Sequence, residues 1–326
     1  MPEDYKITML GPSGVGKTSL LTVMWDRLAD TIGEASLQLT PEPESLFKLQ
    51  KCLKDLKSLA NRGNFQAKGG IEGTSAPSIY SFDVGNMGAR NPSWRLHFHD
   101  YPGEWIESNA QNMNKVRNII QESSAVLIAI DAPALMEREQ RGKWKGEWHE
   151  EFNTPTTITT LFQQAYKGVN LPKPKIVILA PVKCEKYIRG QHSEALLERV
   201  KSGYSNLLKT LQADALAGKI AVVVAPVQTV GNVSFNAVQD QDGTPRFSFS
   251  QVGSGGYSPK NSEQPLRYLL RFLLREYNDR SRFPGDRLIR TMFDVDAPFI
   301  KAATVVAQGC KHDNGFAVLH GHNLLN

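Results

Sequence analysis

The chain has 326 residues, 40% hydrophobic and 22% charged, ordinary values for a globular protein long enough for one large domain with insertions. Its 38 Lys and Arg against 33 Asp and Glu leave a net charge of +5. Without a clustered patch, that is too small an excess to argue for a nucleic-acid or membrane surface. No apolar run approaches the roughly 18 residues of a membrane span. The opening MPEDYKITML leaves no room for a signal peptide, and Cys52, Cys184 and Cys310 are too dispersed for a disulfide framework or a zinc site. The expectation is a cytoplasmic chain with no membrane span, no structural metal and no nucleic-acid partner.

Along the chain, short β-rich runs alternate with longer helical ones, the pattern of an α/β layered sheet. Tyr5 to Leu10 reads as a strand and Lys17 to about Asp30 as the following helix. Leu46, Leu49, Leu53, Leu56 and Leu59 recur at helical spacing, predicting an amphipathic helix over 42–60 packed on its own domain. The glycine-rich NRGNFQAKGGIEGTS then reads as a mobile loop. SIYSFDVG and SWRLHFHD form a hairpin, which inserts one antiparallel strand into an otherwise parallel sheet. AVLIAID, KIVILAP and KIAVVVAP are continuous apolar runs, suited to strands covered on both faces. A helix is expected over 192–217, an inserted hairpin over 231–261 turning at Asp242-Gly243, a helix from Pro265, and one more helical stretch over about 286–308 before an irregular end.

Gly11-Pro12-Ser13-Gly14-Val15-Gly16-Lys17-Thr18 fits GxxxxGK[ST] at every fixed position, between a strand and a helix that continues from Ser19. Glycines let backbone N–H groups turn inward around phosphate oxygens, where side chains would clash. The helix N-terminus adds partial positive charge. Lys17 is expected to reach the β- and γ-phosphates, and the Thr18 hydroxyl to ligate Mg²⁺. The inferred ligand is a purine nucleoside triphosphate with Mg²⁺.

The strand 94–99 runs into Asp100-Tyr101-Pro102-Gly103-Glu104-Trp105. An Asp at such a strand end can hold a Mg²⁺-bound water, and a Gly three residues on can present its N–H to a γ-phosphate. This order of parts resembles the Ras-like (TRAFAC) class of P-loop GTPases. The DYPGEW string is similar to that of YcjX-like bacterial proteins and of the double-GTPase families of bacterial conflict systems. The resemblance covers roughly residues 5–280 and is specific at 11–18 and 100–105. It implies a mostly parallel six-stranded sheet with one antiparallel strand and helices on both faces, built as a 1–280 GTPase domain and a 281–326 helical extension. It also implies Mg²⁺-dependent binding of GTP and GDP, slow hydrolysis, and a protein partner that senses the triphosphate state, in bacterial defence or stress signalling. Glu104 stands where many GTPases keep a water-positioning Gln; a solvated acid at a helix start is the other reading. Thr74, with Ser75 as its nearest rival, is placed to sense the γ-phosphate and Mg²⁺.

Members of this class read guanine with N/T-K-x-D, where this chain has Val182-Lys183-Cys184-Glu185. Lys183 is in place to lie against the base. Glu185 keeps an acceptor for the guanine N1–H and 2-amino group but adds a methylene, and Val182 removes a bracing polar group. ATP is therefore not excluded. An ATPase using Asp131 as its acid, a nucleotide kinase, and a nucleotide-binding scaffold without turnover are the competing readings.

Overall fold

The computed structural model describes residues 2–27, 36–66, 76–88, 91–106, 110–137, 148–188, 190–241, 244–253, 255–280 and 297–326. Among these, eight strands form the main sheet. Its centre is parallel: β1 (Glu3–Leu10) lies between β5 (Trp94–Asp100) and β6 (Ala125–Asp131). β7 (Lys175–Val182) and β8 (Ile220–Val224) follow on the β6 side. Every residue of β6, β7 and β8 is buried, as expected of runs with no polar alternation. β4 (Ser78–Asn86) pairs antiparallel with β5, which confirms the hairpin read from their sequences.

The six-stranded expectation is corrected at both edges. β2 (Leu37–Pro41) adds antiparallel to β4, and β11 (Ala317–His320) adds antiparallel to β8. β4 and β11 therefore run against the others. Both edge strands are short, and their apolar residues form no run that stands out from loop sequence. The main sheet thus includes a strand from the tail, where the sequence pattern predicts a helix and an irregular end.

Helices cover both faces. One core joins Ile7, Met9, Leu127, Ile178 and Val223 to Leu20 and Val23 of α1 (Lys17–Asp26), Leu49 of α2 (Pro43–Leu59), and Leu269 and Leu273 of α9 (Gln264–Arg280). The other joins Leu10, Ile128, Val177 and Val222 to Ile120 of α3 (Ala110–Glu122), Ile158 and Phe162 of α6 (Pro155–Tyr166), and Leu196 of α7 (Gln191–Gly203). Two short helices, α4 (Ala132–Met136) and α5 (Trp148–Asn153), lie between β6 and α6.

The helix expected over 192–217 is α7, then α8 (Ser205–Leu211), then a 3-10 turn at Asp214–Leu216. It breaks where Gly203 passes the His149 ring, whose Nε2 lies 2.6 Å from where a Cβ would stand. The inserted hairpin is present as β9 (Val233–Gln241) and β10 (Thr244–Gln251), with Asp242 and Gly243 outside the described residues. Asn64–Gln66, placed within the glycine-rich loop by sequence, instead form β3, which pairs with β10 in a second, three-stranded sheet. The last helix, α10 (Ala297–Gln308), packs on α9.

Candidate functional site

The loop 11–16 follows β1 at the C-terminal ends of the parallel strands, where open α/β sheets place ligands. Its turns require left-handed backbone: φ is 143° at Gly11, 73° at Gly14 and 114° at Gly16. Gly16 precedes α1 without any side-chain cap, and the first turn of α1 carries no acid. An uncapped, acid-free helix start suits an anion. Pro12 and Val15 are buried beneath the loop, Ser13 and Gly14 are exposed on it, and Ser19 is half-buried in the first turn of α1. The buried Lys17 Nζ donates to the Gly11 and Pro12 carbonyls at 2.8 and 3.1 Å, which keeps the amine inside the loop.

Two motifs far apart in the chain meet here. The Thr18 hydroxyl donates to Asp100 Oδ2 at 2.5 Å, with Asp100 fully buried at the end of β5. Beyond it, the chain turns through a 3-10 segment, Gly103–Ile106, laid against the phosphate loop. A Cβ at Gly103 would stand 1.9 Å from Ser13 N and 2.2 Å from the Pro12 carbonyl carbon. No side chain fits there. Glu104, next in the turn, is exposed. Thr74 and Ser75 lie outside the described residues.

Asp131, the competing acid, is engaged elsewhere. It caps α4 by accepting from Ala134 N–H at 3.0 Å and pairs with Lys183 Nζ at 2.5 Å. Asn153 grips its backbone, accepting from Asp131 N–H at 2.7 Å and donating to its carbonyl at 3.1 Å. Lys183, in left-handed backbone at φ 58°, also donates to the Gly14 carbonyl at 3.3 Å. This bridge between the end of β6, the loop after β7 and the phosphate loop was invisible in the sequence, because Asn153 reaches Asp131 across 22 residues of unremarkable spacing.

Glu185, expected to face the base, points into the loop after β8. Val230 N–H and Gly231 N–H donate to its Oε1 at 2.9 and 3.2 Å. Burial pushes its carboxyl above the usual carboxylate range, and the surrounding amides oppose that shift. The extra methylene relative to Asp extends its reach toward those amides. Val182 is buried, with its Cγ2 3.6 Å from where a Gly16 Cβ would stand.

The Thr18–Asp100 pair offers hard oxygen donors beside a phosphate-binding loop, a donor set suited to Mg²⁺ shared with phosphate oxygens. No cluster of three or more His, Cys, Asp or Glu able to hold a metal occurs among the described residues, and no helix there is long and apolar enough to cross a membrane.

The model of the Double-GTPase 2 family matches residues 6–228, from within β1 into the loop after β8. The chain belongs to the Double-GTPase 2 family. The match contains the phosphate loop, Asp100, Gly103 and Lys183, and stops before the β9–β10 insertion. Among curated proteins, nothing matches. Among solved structures, the S. cerevisiae Ski7 GTPase-like domain is similar, with 15% identity and a TM-score of 0.38 in its GTP-bound form. The form bound to GDP and inorganic phosphate gives 14% and 0.38. Each match covers 69% of this chain and 43% of that one.

Proposed function

We propose that this Double-GTPase 2 family member binds GTP with Mg²⁺ and hydrolyses it slowly, acting as a nucleotide-controlled switch. The observation that carries the reading is the meeting of Thr18, Asp100 and Gly103 at one loop: the Thr18–Asp100 hydrogen bond of 2.5 Å, with Gly103 seated on Pro12–Ser13. Thr18 and Asp100 would hold the Mg²⁺, which supplies Lewis-acid stabilisation of phosphoryl charge when bound. Lys17 exchanges its two loop carbonyls for phosphate oxygens. The amides of residues 13–18 orient the triphosphate. Gly103 brings its N–H to the γ-phosphate, so loss of that phosphate frees the 100–106 turn. Glu104 orients the attacking water, and Thr74 senses the γ-phosphate. The partner that reads the triphosphate state also supplies the charge-stabilising arginine, which keeps turnover slow in isolation. The resemblance to conflict-system GTPases supports a role in the bacterial cytoplasm, in defence or stress signalling.

The test is calorimetric titration with GTP and Mg²⁺, followed by single-turnover hydrolysis. The chain should bind GTP, and Lys17→Ala should weaken binding at least tenfold, about 1.4 kcal/mol. Asp100→Ala should abolish the Mg²⁺ dependence of both readouts. GTP binding that is indifferent to Lys17 would overturn the reading.

A further inference from the structure

We propose that this site does not read the Watson–Crick edge of the base: it takes purine nucleoside triphosphates through their phosphates and distinguishes GTP, ITP and ATP only weakly. The proposal rests on the phosphate-loop reading above and concerns the selectivity of the same site.

Selecting guanine needs two things beside the phosphate loop: an acceptor for its N1–H and 2-amino group, and a donor for its 6-oxo group. The segments positioned to supply them are 182–185 and 225–231, at the C-terminal ends of β7 and β8. They adjoin the phosphate loop through Lys183, whose amine touches the Gly14 carbonyl. Glu185 is the acid there, and its carboxylate already accepts from Val230 and Gly231 at 2.9 and 3.2 Å.

The donors are equally occupied. Ala225 N–H donates to Leu179 O at 2.9 Å, and Val227 N–H to Pro181 O at 2.7 Å. Gln228 N–H donates to Lys260 O at 3.0 Å, and Pro226 has no N–H to give. With Val230 and Gly231 on Glu185, the N–H groups of 225, 227, 228, 230 and 231 all have internal acceptors.

The loop is also held from outside. Gln228 and Lys260 form a β-bridge, and Ser258 N–H donates to Val230 O at 2.8 Å. Gly231, at φ 89°, lies so close to Ser258 that a Cβ would stand 1.6 Å from its carbonyl oxygen. Freeing Glu185 for a base would strand the Val230 and Gly231 amides in a loop that cannot shift without breaking these contacts. At position 182, the class's bracing Asn or Thr is a buried valine with no polar side-chain atom to offer. A site that hydrogen-bonds a ligand group rejects the analogue lacking it by large factors, whereas a site that never makes the bond does not. Glu185 is therefore a positioning residue for the loop after β8.

The experiment is equilibrium titration of the full chain with GTP, ITP and ATP in Mg²⁺, with Lys17→Ala as the reference for phosphate-loop binding. ITP lacks only the 2-amino group of GTP, and ATP reverses the edge at positions 1 and 6. The three dissociation constants should agree within threefold. Glu185→Gln should lower the unfolding midpoint while leaving the GTP-to-ITP ratio unchanged within threefold. GTP binding more than tenfold tighter than either ITP or ATP would overturn the proposal, as would a ratio that changes tenfold in Glu185→Gln. Both leave the phosphate-loop reading intact, which fails only if binding is indifferent to Lys17.

Discussion

Gly103 carries more of the site than its lack of a side chain suggests. Most glycines in turns are needed for their φ; this one is needed for proximity, because the backbone of Pro12 and Ser13 occupies the volume a methyl would take. Backbone cannot rotate out of the way, so Gly103→Ala must lift the 100–106 turn off the phosphate loop. On the proposed function, GTP turnover falls at least tenfold, about 1.4 kcal/mol in the barrier. GDP affinity changes less than threefold, since GDP has no γ-phosphate for that turn to meet. Single-turnover hydrolysis and GDP titration separate the two, and unchanged turnover would remove the turn from the mechanism. The D-x-x-G spacing named Gly103 from sequence alone, but its contact with Pro12–Ser13 came from the fold. Glu185 shows the opposite case: its position in the motif was legible, while the direction of its carboxylate was set by a loop 45 residues away.

At the scale of elements, β5 shows why an alternating strand reads well. Trp94, Leu96 and Phe98 enter the core, while Arg95, His97 and His99 face the other way. His97 bonds Ser81 Oγ at 2.9 Å and Asp4 Oδ1 at 3.2 Å. His99 stacks on Tyr101 at 6.0 Å between centroids, and Tyr101 on Trp105 at 5.6 Å, which ties β5 to the turn after it. Burial, with Lys6 and His97 nearby, pulls the His99 pKa down from 6.5 to about 4. A depressed pKa makes the neutral ring a source of stability that is fully present above pH 6.5 and lost as pH falls toward 4. Urea midpoints measured at pH 7 and pH 4.5 should therefore drop further in the native chain than in His99→Gln. Equal drops would exclude His99 as the source. The leucine stripe of α2 was similarly legible, with Leu49, Leu56 and Leu59 buried as its period requires. β2, β3 and β11 were not, since three to five residues span too few alternations to define a period.

Across the whole molecule, the tail closes the sheet. β11 covers the otherwise open edge of β8, and α9 holds the segment that leads to it. The buried Gln264 donates to Gly309 O at 3.0 Å and accepts from Lys311 N–H at 2.9 Å. Tyr268 donates to Lys311 O, and Arg271 Nε donates to Leu325 O at 2.5 Å. Gln264→Leu removes two of these bonds, each worth about 0.5–1.5 kcal/mol, so chemical denaturation should show a loss of about 1–3 kcal/mol. Loosening the tail also exposes the β8 edge, a template for self-association. Light scattering of the variant near its unfolding midpoint should therefore rise above that of the native chain.

The sequence by itself determined the features that local chemistry dictates: the glycine pattern that bends a loop around phosphate, the apolar runs of the central strands, and the Asp and Gly that follow β5. These depend on neighbours within a few residues, so spacing alone reveals them. Only the tertiary structure decided which acid meets Thr18, that Asn153 and Lys183 lock Asp131, that Glu185 serves a loop rather than an open face, and that the tail supplies an edge strand. Each of those choices is made between groups tens of residues or more apart, where a side chain's reach and the hydrogen-bond demands of buried backbone, rather than any local pattern, select the partner.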